Sequence, residues 1–302
     1  MSSVDFLQQA VAYAQQSQKK ATTNWLNDYR QTSLTALEHD SFPNRKKELF
    51  KYNNLTKLQK ADLFHTSDQA ADFDLVKSLL ESSFTISDAT NVVIIDGLVN
   101  SDLSSINNDR ISVTQFSDCS SDQIEYITNN IHNSITERNI FTKLNASITF
   151  NGLFIEVNES DDKPVVLTYI NTGKANSTNH SNLLVKVNKS KKATLIEQFI
   201  STDLSNVLNQ HSQSSKFVIN DNAELEHYQL NLEHEQAIHF GAQDYRLMRD
   251  ARLNSFNITF GGLIKRNDID VHHLVGGSPA ALPSLYLAPN QPPVNSPPLL
   301  DP

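Results

Sequence analysis

The 302-residue sequence holds one cysteine and eight glycines, and its 25 basic side chains are outnumbered by 34 acidic ones. A single cysteine excludes a disulfide framework and any all-cysteine metal site within the chain. The formal charge of −9 argues against a nucleic-acid partner, whose phosphates need a basic footprint. No apolar run approaches the roughly 20 residues of a membrane span. The stretch Met1 to Lys20 is glutamine-rich and lacks the basic-then-apolar layout of an export signal, which predicts a cytoplasmic protein. There is no Gly-x-Ser-x-Gly, no phosphate loop and no dinucleotide fingerprint. Proline is almost absent until late: eight of the ten lie between Pro279 and Pro302, with only Pro43 and Pro164 outside.

What is present divides into two textures. The N-terminal part reads as helical. Val4, Leu7, Val11 and Ala14 follow helical spacing, and a second helix carries Trp25, Leu26, Tyr29, Leu34 and Leu37. Pro43 breaks the pattern, and a third helix holds Leu75, Val76, Leu79 and Leu80. Val92 to Ile95, closed by Asp96-Gly97, reads as a short buried strand and turn. A long helix is predicted from Asp122 to about Leu144, with Ile124, Ile127, Ile131 and Ile135 as its buried stripe and Ser121 as its cap.

From Leu153 onward, strand-length runs alternate with polar turns: Leu153–Val157, Val165–Ile170, Leu183–Val187, Thr194–Ile200 and Lys216–Ile219. A phrase Ala-x-Leu-x-x-φ-x-φ, with φ apolar, recurs. Its copies are Ala193, Leu195, Ile200 (with Gln198 in one apolar slot); Ala223, Leu225, Tyr228, Leu230; Ala251, Leu253, Phe256, Ile258; and Ala280, Leu282, Leu285, Leu287. The spacings of 30, 28 and 29 residues between the alanines mark a β-solenoid, with Ala at a tight inner corner and Leu and the aromatics filling the core. The 31 asparagines suit left-handed corners that glycine would otherwise fill. A propeller would need longer repeats of about 40–50 residues.

The chemistry-bearing residues form no recognisable apparatus. His227, His234 and His239, then His272-His273, match no zinc spacing and read as surface or groove histidines. Cys119 has acidic or neutral neighbours, so no activated thiolate is expected. Gly261-Gly262 reads as a bulge or turn. Asp161-Asp162 and Asp268/Asp270 could suggest a polysaccharide-cleaving β-helix, but they read as solvated turn acids. The basic run Arg45-Lys46-Lys47 reads as a solvated face first and a docking patch second.

One segment narrows the reading. Phe42 to Leu55, FPNRKKELFKYNNL, resembles the N-terminal signature Pro-Thr-Arg-Lys-x-Glu-x-Trp-Lys-Tyr-Thr-x-Leu of the SufD branch of the SufB/SufD family of iron–sulfur cluster assembly proteins. Pro43, Arg45, Lys46, Glu48, Lys51, Tyr52 and Leu55 match; Asn44, Phe50 and Asn53 depart, Phe50 keeping an aromatic ring. Val92–Gly97, Ile196-Glu197-Gln198-Phe199, Phe260-Gly261-Gly262 and Arg266-Asn267 resemble further family segments, in order. The resemblance implies a mainly β fold with a helical N-terminal part and a right-handed parallel β-helix. The division it suggests is an α-rich domain over 1–145, a β-helix core over 146–278 and a broken last coil over 279–302.

It also implies a non-catalytic scaffold of a SufB–SufC–SufD complex, paired with SufB and engaging the ATPase SufC. Such a scaffold supports cluster assembly and iron acquisition. It binds no cofactor firmly itself; an iron–sulfur cluster and a reduced flavin belong to the complex. Two rivals are a β-helix carbohydrate-active enzyme and a self-associating β-solenoid module. Set against relatives, the chain stops inside the β-helix, before the family's SufC-docking domain and its late cysteine and histidine. Pro292, Pro293, Pro297, Pro298 and Pro302 replace Gln, His, His, Thr and His. A truncated gene model, poor solubility and no SufC binding are therefore expected.

Overall fold

The computed structural model describes residues 5–19, 23–43, 50, 55–59, 61, 63–64, 72–106, 109–131, 139–173, 177–202 and 208–287. Helices α1 (Phe6–Gln18), α2 (Asn27–Glu38), α3 (Thr56–Gln59) and α4 (Phe73–Ser82) come first. Strands β1 (Thr90–Ile95), β2 (Leu98–Ser105) and β3 (Ile111–Gln115) follow, then α5 (Ser121–Ile131) and α6 (Ile140–Ser147). The rest is strand: β4 (Leu153–Val157), β5 (Val165–Asn171), β6 (Ser177–Val187), β7 (Lys192–Ser201), β8 (Asn209–Ile219), β9 (Glu224–Asn231), β10 (Ile238–Leu247), β11 (Arg252–Phe260), β12 (Ile264–His273), β13 (Ala280–Ala281) and β14 (Ser284–Leu287).

From β4 to β12 the chain alternates between two sheets, and each strand from β4 to β11 pairs in parallel with the strand two further on. One sheet runs β13-β11-β9-β7-β5-β1-β2, with β14 also on β11; the other runs β12-β10-β8-β6-β4-β3. This is a parallel β-helix of about four coils. β1 joins the first sheet in parallel with β5, and β3 joins the second antiparallel to β4, so strands that precede α5 begin both faces.

The pairing revises the repeat. Val165 lies beside Leu195, Ala193 beside Leu225, Leu225 beside Leu253, and Leu253 beside Ala280. Successive coils are thus 30, 32, 28 and 27 residues, and of the three spacings read from the alanines only the middle one, 28, is a structural step. The other two are displaced by two residues. A shift of two keeps every side chain on the same face of a strand, so the phrase survives the slip. The true marker is the corner. Ser190, Asn222, Asp250 and Gly277 all have positive φ (59°, 56°, 56° and 87°) and occupy one site on successive coils. Only one of the four is asparagine, so the left-handed corner is shared among Ser, Asn, Asp and Gly.

The φ slots correct a second expectation. Ala193, Ala223, Ala251 and the leucines two residues on lie in the interior. Tyr228, Leu230, Phe256, Ile258, Leu285 and Leu287 alternate with interior residues and so face outward, with Tyr228, Leu285 and Leu287 exposed.

Among the helices, α1 buries Phe6, Ala10, Ala14 and Ser17; of the stripe read from the sequence Ala14 is buried, Leu7 and Val11 pack partly buried at the cluster's edge, and Val4 lies outside the described residues. The helix predicted over Asp122–Leu144 is two. Asn139 is extended (φ −71°, ψ 167°), and its side chain accepts from the Phe141 and Thr142 amides, starting α6 afresh. Ile127 and Ile131 are buried as expected; Ile135 lies outside the described residues. The cap of α5 is Ser120 rather than Ser121. Ser120 Oγ accepts from the Gln123 amide (3.4 Å) while Gln123 Oε1 accepts from the Ser120 amide (3.0 Å), a reciprocal capping box. Phe6, Phe50 and Phe141 pack with Phe240 and Ile264 on the outer face of the second sheet, where Phe141 stacks on Phe240 at 3.6 Å.

Candidate functional site

Strand alternation sends every second side chain into the solenoid, and the inward columns change character along the axis. Leu167, Glu197, Gln229 and Asn257 form one column; Val165, Leu195, His227 and Ser255 a second; Leu153, Leu183, Ser215 and Gln243 a third. The first two begin apolar and end polar, and the third turns polar at Ser215 and Gln243 before closing on Ile269. The early coils are held by hydrocarbon packing. The later ones bury hydrogen-bonding groups, which is tolerable only where the groups satisfy one another.

They do so around Glu197 and Tyr245. Glu197 has no exposed surface. Its carboxylate lies 3.0 Å from His227 Nε2, accepts from Gln213 Nε2 at 2.7 Å, and accepts from the Tyr169 hydroxyl at 3.2 Å. His227 Nδ1 lies 2.6 Å from the Tyr245 hydroxyl, which is 3.1 Å from Gln243 Oε1 and 3.0 Å from Ser255 Oγ. Tyr245 has one proton to donate, so its neighbours share it. Gln229, Gln243, Asn257 and Asn267 extend the chain of amides. Gly241 makes the space for Asn267, whose amide would meet any Cβ placed there.

A second buried group lies near the opposite corner. Glu233 pairs with Lys265 and, at 3.1 Å, with His239 Nδ1. His239 stacks on His211 (5.6 Å between centroids, 17° between planes), and His211 Nε2 meets Ser181 Oγ at 2.9 Å. Burial alone would raise the Glu233 carboxyl, but the Lys265 ammonium and the His239 contact outweigh it and hold the group below the usual carboxylate range. Burial lowers Lys265, with Glu233 opposing, and pushes His211 down to about 3. Burial also raises Tyr245 and Tyr169, which therefore serve as neutral hydroxyls.

The structure corrects the histidine reading. His227 and His239 are interior rather than surface residues, and His211 joins them, because parallel pairing turns their columns inward beside polar partners. His234 sits apart on a turn, its amide donating to Ser201 Oγ. His272 and His273 are exposed at the end of β12 and alternate faces. No group of three His, Cys, Asp or Glu side chains is placed to hold a metal among the described residues. Asp268 and Asp270 are strand residues of β12 rather than turn acids, and Asp268 is held by Arg266 (2.7 Å) and Asn139 (2.7 Å). Gly261 and Gly262 have positive φ (54°, 101°) and make the turn between β11 and β12. Cys119 is half-buried and its thiol is pushed up to about 11 by burial and by Asp118, which keeps it protonated.

Pro43 and Phe50 of the N-terminal signature segment are buried. Arg45, Lys46, Glu48, Lys51 and Tyr52 lie outside the described residues, as do the prolines from 289 onward. The Arg266 guanidinium sits over the Phe50 ring at 4.4 Å. Two segments singled out separately in the sequence, 216 residues apart, therefore meet. No spacing rule reveals that contact, because it crosses from the helical part to the outer face of the second sheet.

Residues 4–165 match the family model of the SufBD protein N-terminal region, and residues 169–295 match the SufBD core domain of SUF system FeS cluster assembly. Comparison with curated proteins gave no match. This parallel β-helix with N-terminal helices, matched by both models in order, belongs to the SufB/SufD family, and its role lies in iron–sulfur cluster assembly. Among the described residues no helix is long and apolar enough to cross a membrane.

Proposed function

We propose that this chain is a SufD-type, non-catalytic scaffold subunit of the SufB–SufC–SufD complex in the cytoplasm. It pairs with SufB, works beside the ATPase SufC, and supports cluster assembly and iron acquisition. The observation that supports the SufD branch is the signature segment Pro43–Leu55, whose buried Phe50 is engaged by Arg266. On this reading residues 1–145 brace the solenoid of residues 146–278 through α1 and α6 on its second sheet. The iron–sulfur cluster is cargo at the level of the complex. Nothing among the described residues points to the reduced flavin that the resemblance implies.

The carbohydrate-enzyme reading has little to stand on, since Asp268 is tied to Arg266 and Asn139. Co-expression with affinity-tagged SufB tests the proposal. Retention of this chain on SufB through washing at physiological salt is the expected result. Recovery of SufB without this chain, while the chain itself is present and folded, would overturn it.

A further inference from the structure

The interior columns lose volume as they turn polar. Phe199 gives way to Asn231 and Thr259, Leu195 to His227 and Ser255, and Gln213 to Gly241. Strand spacing stays at about 4.8 Å from coil to coil, so smaller side chains leave room that hydrocarbon fills elsewhere.

Among the described residues, six buried inward atoms find no hydrogen-bond partner in the protein. They are Nδ2 of Asn171, Asn209 and Asn257, Oδ1 of Asn231 and Asn267, and Nε2 of His239. Turning the side chains over does not cure this, because the opposite ends are engaged. Asn171 Oδ1 accepts from the Gly173 amide (3.2 Å). Asn257 Oδ1 accepts from Gln243 Nε2 and from Asn267 Nδ2 (both 3.2 Å), and Asn267 Nδ2 also donates to Gln229 Oε1 (2.5 Å). Asn209 Oδ1 accepts from Ser177 Oγ (3.2 Å), and His239 Nδ1 faces Glu233. Six unpaired buried atoms would cost as much as the whole stability of an ordinary domain.

Four of the six gather in like pairs at two glycines. At Gly241, Asn267 Oδ1 and His239 Nε2 both lie within 3.3 Å of the point where a Cβ would stand. Both are acceptors, since the His239 proton on Nδ1 points to Glu233 and leaves a lone pair on Nε2. At Gly173, Asn209 Nδ2 lies 2.7 Å from the corresponding point, and Asn171 is fastened to the glycine's own amide. Both free groups there are donors.

We infer that the polar interior holds bound water, one molecule at Gly241 donating to His239 Nε2 and Asn267 Oδ1, and one at Gly173 accepting from Asn171 Nδ2 and Asn209 Nδ2. The inference does not depend on the SufD assignment. Water alone serves a pair of acceptors at one site and a pair of donors at the other. A cation answers only the first, where the Lys265 ammonium, paired with the same Glu233, opposes it. An anion answers only the second. The Tyr245 hydroxyl needs no water, because its partners are all side chains. The Gly241 water has a structural consequence. It joins the Glu233–Lys265 group, through Asn267, Gln229 and Gln213, to Glu197, so the two buried groups become one network.

Oxygen-17 magnetic relaxation dispersion of water, recorded on the full chain, counts buried molecules of long residence. At least two per chain are expected, and one fewer in Asn267→Leu, with unchanged circular dichroism showing that the variant folds. A high-resolution crystal structure of the natural chain is expected to place a water within hydrogen-bond distance of each pair, and it decides alone if the variant does not fold. A count of zero overturns the proposal, as does a count that Asn267→Leu leaves unchanged. Electron density with the paired side chains closed on each other, or an anomalous peak marking a metal ion at Gly241, also overturns it.

Discussion

Removing one hydroxyl, by Tyr245→Phe, probes the polar interior most sharply. The ring stacks on Phe217 at 4.6 Å and 14°, and phenylalanine keeps that packing. What is lost is an oxygen that contacts His227 Nδ1 at 2.6 Å, Gln243 Oε1 at 3.1 Å and Ser255 Oγ at 3.0 Å. His227 and Gln243 have no exposed surface and Ser255 is 1% exposed, so water does not replace it without opening the coil. Each buried polar atom left unpaired costs about 1–3 kcal/mol. Ser255 can rotate toward other partners, so His227 and Gln243 carry most of the penalty, and a loss of about 3 kcal/mol is expected. Urea unfolding at pH 7, read as a shift in midpoint at constant slope, measures it. The companion Tyr169→Phe removes a single 3.2 Å contact to Glu197 and should cost about 1 kcal/mol. A loss below about 0.5 kcal/mol for Tyr245→Phe, the level of an ordinary surface change, would refute the view that this hydroxyl is a node of the interior.

Three further outcomes follow from the same geometry. Gly241→Ala should destabilise by about 2–3 kcal/mol, because its Cβ displaces Asn267 from Gln229 and Asn257; an unchanged urea midpoint would show that the space is not tight. His211, lowered to about 3 in the fold against an ordinary 6.5, contributes stability that is fully present above pH 6.5 and lost as pH falls from there toward 3. Its share of the slope reaches at most about 1.4 kcal/mol per pH unit. Unfolding at pH 7 and pH 5 should therefore diverge less in His211→Asn than in the natural chain, and an equal difference would contradict the assignment. Arg266→Ala removes the contact with Phe50 and the pair with Asp268; limited proteolysis should then cut the N-terminal helical part faster, at a stability cost of about 1–3 kcal/mol. Unaltered cleavage would show that the contact does not fasten that part.

Legibility followed hydrophobicity. β4 and β5 are apolar runs and their positions match the sequence reading almost residue for residue. The first half of β8, Asn209-Gln210-His211-Ser212-Gln213-Ser214-Ser215, was invisible as a strand, because it is wholly polar yet wholly buried. Polar side chains normally signal solvent; here His211 and Gln213 meet Ser181, Glu197 and Gln229 inside the coil, at partners 16 to 30 residues away, while Gln210, Ser212 and Ser214 alternate to the outer face and are buried there. His227 and His239 are interior for the same reason, while His272 and His273 are exposed as their reading implies. The repeat was detectable but not its register, since the chain lengthens by two residues in one coil without changing which face a side chain occupies. An apolar residue on a strand carries no mark of which side is open, so the sequence alone does not separate the outward apolar slots from the core. The family segments were legible as text, while the Phe50–Arg266 contact needed coordinates.

Native mass spectrometry of this chain co-expressed with SufB and SufC addresses the central claim, that it is a SufD-type partner in cluster assembly. An assembly containing one copy of this chain per SufB is the expected result. Spectra with SufB and SufC assembled together and this chain only free or self-associated would contradict it.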